Sequence, residues 1–359
     1  LTQNLRTTAT ESIDLLQMSP AAGCACKVPP AEMQFFMSTV DGFLSEDAEH
    51  RQTVLDGSAR DDASLWRISP DEYLALSVDF GTPVSSDPAA WGRIATLNAL
   101  SDLYATGAKP QIALSVLGWP SRVNMETMSS ITAASIATLA ENGAVLGGGH
   151  TIRSEVPLFG LCVVGRVRAN EVMLVDKARP GDVLVLTKPL GTGIITAAQK
   201  FGAASDKLIS ISEGVMSISN STASEIAVKL GVAAATDVTG YGLIGHLNNL
   251  LSKSTVSARI SASAIQKIDE AEELLLGDGV VPNSAERNYF AYEKFVDWGT
   301  TSFSDRMIMC DPQTSGGLML AIQEEKSHEF VARCADEGFA AYPIGRVREG
   351  EPGMIEVTV

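Results

Sequence analysis

Positive charge is in short supply in this chain. Lys and Arg number 27 against 43 Asp and Glu, a formal charge of −16. That balance argues against nucleic acid or an anionic membrane as the main partner, and an anionic substrate would need a local cation or a metal ion. Cysteine is sparse too: five, an odd number without paired spacing, make no disulfide framework and fit a reducing cytoplasm. The opening Leu-Thr-Gln-Asn-Leu-Arg lacks the basic and apolar blocks of a secretory leader. No uninterrupted apolar run reaches bilayer-spanning length. The expectation is a cytoplasmic chain with neither membrane nor nucleic acid among its partners. Walker and dinucleotide glycine patterns are also missing, which leaves no familiar nucleotide motif.

What is present is a globular composition, 45% hydrophobic and 19% charged over 359 residues, long enough for two domains of ordinary size. Residues 1–57 read as a mobile arm with one helix, from Ala31 to Phe43. From Asp61 the pattern changes. Ser64-Leu-Trp-Arg-Ile and Tyr73-Leu-Ala-Leu-Ser-Val predict paired strands around a Ser69-Pro70-Asp71 turn. Trp91 to Tyr104 puts Ile94, Leu97, Leu100 and Leu103 on a helical stripe whose other face can carry Asn98 and Asp102. Pro110 to Leu117 and Phe159 to Val167 predict strands, the second holding Cys162 as a core thiol. Met125 to Asn142 predicts a helix of small residues. Ala178-Arg-Pro-Gly-Asp182 reads as a hinge, followed by a strand from Val183 and a helix from Ile194 to Lys200. Both halves mix strands with helices, so the expectation is two α/β units, residues 58–176 and 177–359, behind the arm.

The sharpest chemical signal lies in that arm, at Ser19-Pro-Ala-Ala-Gly-Cys-Ala-Cys-Lys27. A cysteine attacks as its thiolate, and an adjacent ammonium such as Lys27 favours the thiolate. Cys24 and Cys26 are both candidate nucleophiles. A closed zinc site needs four ligands, whereas Cys162, Cys310 and Cys334 stand singly and far apart. A plain surface loop remains the other reading.

Aspartates recur where strands and helices meet small residues: Asp61-Asp62, Asp79 in Ser-Val-Asp-Phe-Gly, Asp102, and Asp237 in Thr-Asp-Val-Thr-Gly-Tyr-Gly. Each alone is a natural turn former or cap. Together they are the oxygen donors that Mg²⁺ takes beside substrate phosphates. Gly147-Gly-Gly-His-Thr151, Gly191-Thr-Gly193 and Asp311-Pro-Gln-Thr-Ser-Gly-Gly317 add backbone N–H groups of the kind that approach phosphate. His150 ends the first of these; His246, on an apolar helical stretch, reads as structural. The combination points to a Mg-nucleotide enzyme of unfamiliar fold.

Taken in order, Gly23-Cys-Ala-Cys-Lys27, Asp61-Asp-Ala63, Gly92-Arg-Ile-Ala95 with Asn98-Ala-Leu-Ser-Asp102, Leu117-Gly-Trp-Pro120, Gly148-Gly-His-Thr151, Leu186-Thr-Lys-Pro-Leu-Gly-Thr-Gly193, Asp237-Val-Thr-Gly-Tyr-Gly-Leu-Ile-Gly-His246 and Asp311 to Gly317 resemble the selenophosphate synthetase family. The resemblance runs from about Ser19 to the C-terminus. It implies a reaction of ATP, selenide and water that yields selenophosphate, orthophosphate and AMP, with Mg²⁺ and usually K⁺ required. It also implies the α/β (α+β) fold of the aminoimidazole-ribonucleotide-synthetase superfamily. There, an N-terminal domain pairs with its twin in a homodimer to close a dimer-spanning β-barrel. A C-terminal α/β domain packs beside it, and ATP lies between the two under the arm.

By matching motif, the resemblance implies Cys24 as the essential cysteine and Lys27 as the essential lysine, the latter also meeting the nucleotide. Asp62, Asp102 and Asp237 match Mg²⁺ ligands, and Asp79 a further residue of the ATP and metal cluster. Ala59, Arg60 and Asp61 fall on a nucleotide-contacting stretch. Gly149, His150 and Thr151 match a loop reaching the ATP of the neighbouring subunit, while Cys26 matches a cysteine the family does not need. Two departures stand out: the arm loop lacks the His and some of the Gly of many bacterial members, and Arg153 stands where some relatives have Asp. Selenide could arrive free or from a selenium-delivery protein. The alternatives are other ATP-dependent enzymes of the superfamily, such as thiamin-monophosphate kinase or the hydrogenase-maturation carbamoyl dehydratase, and a catalytically altered paralogue.

Overall fold

The computed structural model describes residues 14–19, 23, 26–41, 54–55, 62–277 and 281–359. Cys24, Ala59, Arg60 and Asp61 lie outside the described residues.

A helix, α1 (Pro30–Asp41), follows Lys27 and opens on proline, whose fixed φ suits a first helical turn. The short β1 (Val54–Leu55) leads to a hairpin of β2 (Ser64–Ser69) and β3 (Glu72–Gly81). Helix α2 (Pro88–Ala105) begins with Pro88 behind Asp87, whose carboxylate caps the N–H of Ala89. Then come β4 (Lys109–Trp119), α3 (Met125–Glu141) capped by Asn124, β5 (Val145–Arg153) and β6 (Leu158–Arg168). The strands form one sheet in the order β1-β2-β3-β6-β4-β5, antiparallel except for β4 beside β5.

Alternation along β3 decides where chemistry can sit. Tyr73 and Ala75 are buried against α2, so Ser77 and Asp79, at the same parity, share the helix-covered face. Leu76, Val78 and Phe80 point the other way and are exposed. Under α2, Trp91, Ile94, Leu100 and Leu103 pack with Phe159, Leu161 and Val163. The Trp91 and Phe159 rings meet edge to face at 6.1 Å. Gly160 lets β6 close on this corner, since a Cβ there would stand 2.1 Å from the Asp79 carbonyl oxygen.

The second half runs β7 (Val183–Leu186), α4 (Thr192–Lys200), α5 (Asp206–Met216), α6 (Ser221–Lys229), β8 (Ala234–Asp237), α7 (Gly242–Ser254) and β9 (Ser257–Ser261). It continues through α8 (Ala271–Gly277), α9 (Asn283–Tyr292), β10 (Val296–Asp297), α10 (Phe303–Cys310), β11 (Leu318–Ile322), α11 (Glu324–Asp336), β12 (Tyr342–Arg348) and β13 (Ile355–Thr358). Its sheet order is β10-β13-β9-β12-β7-β11-β8. Strands β7, β8 and β11 are buried at every residue because helices cover both faces. One core gathers Leu243, Leu247 and Ile308 on one side; the other gathers Ile226, Phe330 and Cys334. The two halves are joined by polar contacts between buried groups: Asn220 Nδ2 donates to Ser101 Oγ at 2.9 Å, and Ser224 Oγ to the Tyr104 carbonyl at 2.7 Å.

Two expectations are corrected. The glycine stretch 147–151 is not a loop but the middle of β5, paired in parallel with β4. Cys162 is not a core thiol: it is half-buried on the outer face of β6, level with Val78 and Leu114. The helix expected from Ala31 to Phe43 is present as Pro30–Asp41, and residues 42 and 43 lie outside the described residues. Among the described residues no helix is long and apolar enough to cross a membrane.

Candidate active site

The arm reaches the domain junction through a narrow slot. Gly23 bridges Thr82 at a φ of +50°, and a Cβ there would lie 2.1 Å from Val84 Cγ1 and 2.5 Å from Thr314 Oγ1. Only glycine takes this φ without strain and fits the space. Four residues on, Lys27 points its ammonium at Asp79 Oδ2, 3.5 Å away. Lys27, Cys26, Asp79, Asn98, Phe80 and Thr314 line one cleft.

Behind the cleft the carboxylates gather from both halves. Ser77 Oγ donates to Asp102 Oδ2 at 2.5 Å, across from β3 to α2. Asn98, one turn before Asp102, donates Nδ2 to Asp79 Oδ2 at 2.6 Å. Asp237 ends β8, just before the turn into α7. Thr236 Oγ1 donates to Asp62 Oδ1 at 3.0 Å, and donor atoms of Asp62, Asp237 and His246 lie within 4.8 Å of one another.

Crowded, buried carboxylates resist ionisation. Burial, and then the charges of Asp237 and Asp79, hold the Asp102 carboxyl well above its usual range, against opposing pulls from Lys27 and Ser77. Burial likewise raises Asp237 to about 6, against a hydrogen bond from Ser101 and the charge of Lys27. Asp237 Oδ2 is buried without a hydrogen-bond partner among the described residues. An orphaned carboxylate oxygen amid like charges and hard oxygen donors is the setting a divalent cation such as Mg²⁺ relieves, so these residues fit one. His246 fits it less well. Its Nε2 accepts the Thr239 N–H at 3.2 Å, which places the ring proton on Nδ1 and occupies the lone pair a metal would need. Burial, then Lys27, depress its pKa to about 3, so the ring is neutral and structural, as its apolar helix suggests.

Two family models cover most of the chain: AIR synthase related protein, N-terminal domain, over residues 60–167, and AIR synthase related protein, C-terminal domain, over 179–357. Among curated proteins, selenide, water dikinase of Aeromonas hydrophila is 38% identical over 339 residues, covering 94% of this chain and 96% of its own. That of Carboxydothermus hydrogenoformans is 36% identical over 348 residues, covering 97% and 99%. The chain belongs to the selenide, water dikinase family. Solved structures more distant in sequence share the fold. Thiamine monophosphate kinase from Aquifex aeolicus has a TM-score of 0.64 at 17% identity, covering 92% of this chain and 98% of its own. Hydrogenase maturation protein HypE in complex with ATP has a TM-score of 0.62 at 17% identity, covering 96% and 94%.

Set against the residues that the dikinase resemblance implies, the structure brings Lys27 to Asp79, and Asp62 to Asp237, with Asp102 close enough to feel the charges of both Asp237 and Asp79. Gly149, His150 and Thr151 sit exposed on the edge strand β5 and are not among the residues lining the cleft. The glycines at 191 and 193 are not a phosphate cradle. Gln313 Oε1 takes the N–H groups of Gly191 and Thr192, and Asp311 Oδ2 those of Gly193 and Ile194. Ser77, Lys188 and Ser315 were not singled out by sequence. Lys188 is 2% exposed and donates to the carbonyls of Ile218 and Ser315 at 2.7 Å each, and burial lowers its pKa to about 7. Its one local signal was its place in the Leu186 to Gly193 motif.

Proposed function

We propose that this cleft is the ATP site at which the chain makes selenophosphate from selenide and water, releasing AMP and orthophosphate. The observation that carries the reading is the arm lysine and Asp79 meeting in one cleft with a cluster of buried aspartates from both halves of the chain behind it.

In this proposal Asp62, Asp102 and Asp237, with Asp79 beside them, would hold Mg²⁺. When bound, the ion supplies the charge that neutralises the phosphate chain. Lys27 brings a second positive charge to the transferred phosphoryl group. Hydrogen selenide anion attacks the γ-phosphorus: a Se–P bond forms as the bond to the β,γ-bridging oxygen breaks, and ADP is left. Water then attacks the β-phosphorus of ADP, releasing orthophosphate and AMP. The arm closed over the cleft keeps water out of the first step. Cys24 is assigned from sequence alone to carry or orient selenium, and Ala59, Arg60 and Asp61 to contact the nucleotide. No residue is assigned to K⁺. The division into residues 1–57, 58–176 and 177–359, a cytoplasmic location and a selenium-delivery protein belong to the same proposal.

A homodimer completes it. Leu76, Val78, Phe80, Ile112, Leu114 and Ile152 leave one face of the first sheet apolar and exposed, a patch of the kind that marks an interaction site. A second copy on that face would join the two sheets into a barrel and bring Gly149, His150 and Thr151 towards the neighbour's nucleotide.

Phosphorus NMR of ATP and selenide with this protein tests the reading. Selenophosphate and AMP should appear together, and a chelator should abolish both. ATP turnover without a selenophosphate signal would overturn it.

A further inference from the structure

We propose that Asn98 is a positioning residue that couples the arm lysine to the C-terminal half of the chain by fixing Asp79. The inference rests on the ATP-site reading above and adds to it a residue that contributes neither charge nor metal ligand.

Asn98 is 6% exposed, and both ends of its amide are engaged. Nδ2 donates to Asp79 Oδ2 at 2.6 Å, and Oδ1 accepts the backbone N–H of Ser315 at 2.7 Å. The orientation of the amide follows from these partners, because a backbone N–H can only donate and a carboxylate can only accept. Ser315 is 217 positions away, in the other half of the molecule. Asp79 therefore takes its donor from a side chain whose orientation is set by the opposite half.

Ser315 is itself a fixed peg. Its φ of +48° is left-handed, a strained conformation for a side-chain-bearing residue that persists only where its surroundings impose it. Its carbonyl accepts the buried Lys188 ammonium at 2.7 Å, which the Ile218 carbonyl also holds. At the other end of the turn, Gln313 and Asp311 are bonded to the start of α4. The path runs Lys188, Ser315, Asn98, Asp79, Lys27. If the halves part, the amide loses the partner that sets its orientation and Asp79 loses its donor. Asp79 is thus held towards Lys27 when the C-terminal half is docked.

Asn98→Asp separates positioning from simple bracing. The variant keeps an oxygen to accept the Ser315 N–H but faces Asp79 with a second carboxylate oxygen in place of the donor. Two readouts need no turnover: equilibrium binding of a fluorescent non-hydrolysable ATP analogue at limiting Mg²⁺, and the rate of tryptic cleavage after Lys27. Positioning predicts analogue binding weaker by about tenfold or more, with faster cleavage at Lys27, both measured below the unfolding transition that the added buried carboxylate lowers. Binding within about twofold of the parent, with an unchanged cleavage rate, overturns the inference. Should the added charge prevent folding, Asn98→Ala in the parent and in an Asp79→Asn background decides the same point. A positioning role loses its effect once Asp79 is changed, whereas a bracing role keeps it. Parent protein that forms no selenophosphate in the NMR assay overturns the ATP-site reading. Parent protein that forms it while Asn98→Asp matches it in binding and cleavage overturns this inference alone.

Discussion

Lys27 and Asp79 face each other at 3.5 Å, and the aspartate oxygen between them is the one that also accepts the Asn98 amide. The lysine side chain is 36% exposed and the aspartate 13%. A pair this close to solvent contributes no more than about 1 kcal/mol to stability. Its placement at the mouth of the aspartate cluster therefore matters for ligand charge rather than for folding.

Lys27→Met should accordingly leave the unfolding free energy within about 1 kcal/mol of the parent. Selenophosphate formation should fall by about 100-fold or more, since in the proposed site the lost charge faces the transferred phosphoryl group. Chemical denaturation and phosphorus NMR measure the two quantities. Retained turnover would refute the role given to the arm.

Ser77 supports the aspartates proposed to hold Mg²⁺, through its 2.5 Å bond to Asp102 Oδ2. Supporting hydrogen bonds of this kind orient a ligand and change metal affinity by about 10- to 100-fold when removed. Ser77→Ala should raise the Mg²⁺ concentration for half-maximal turnover by about tenfold, with most of the rate recovered at saturating Mg²⁺. A reduced rate that no Mg²⁺ concentration restores would argue that Ser77 braces the helix instead.

The bare sheet face makes a prediction about assembly. Val78 and Leu114 flank Cys162 on neighbouring strands, and Val78 is 58% exposed. Val78→Lys with Leu114→Lys places two charges in the middle of that face, where a twin sheet would leave them unpaired. Analytical ultracentrifugation should show a dimer for the parent and a monomer for the variant. A parent that sediments as a monomer at all concentrations removes the barrel from the proposal.

Much of this was legible in sequence because the signals are local. The apolar run from Tyr73 gave most of β3, though not the shared face of Ser77 and Asp79, and the helical stripe put Asn98 with Asp102 on the other face of α2. What failed depended on distant partners. Gly147 to Gly149 carry no side chains whose alternation could reveal β5; the parallel ladder to β4 makes it a strand. Nothing near Gly191 signals that its N–H is taken by Gln313, 122 positions on. The uniformly apolar run of β6 suggested burial on both sides, whereas one face is covered by α2 and the other is left open among the described residues. Asn98 shows its role only when Ser315 arrives from the opposite half.

Asp311 supplies a pH test away from the aspartate cluster. It is 0% exposed; Oδ2 accepts Gly193 N at 3.0 Å, Ile194 N at 3.1 Å and Gln313 Nε2 at 2.8 Å, while Oδ1 is buried without a partner among the described residues. Burial raises its pKa to about 7, against those three donors. In the unfolded chain the carboxyl titrates near about 3.9. Below that value both states hold the proton. Between it and about 7 only the unfolded state has released it, so the stability associated with the neutral form is complete in acid and is lost as pH rises through this window. Asp311→Asn keeps an oxygen for the Gly193 and Ile194 donors and cannot ionise. The unfolding free energy of the variant minus that of the parent, measured by denaturant titration, should therefore climb from about pH 4 to about pH 7 and level off above it. A difference that stays flat across the window would mean that the three donors keep Asp311 ionised throughout, with burial the weaker influence.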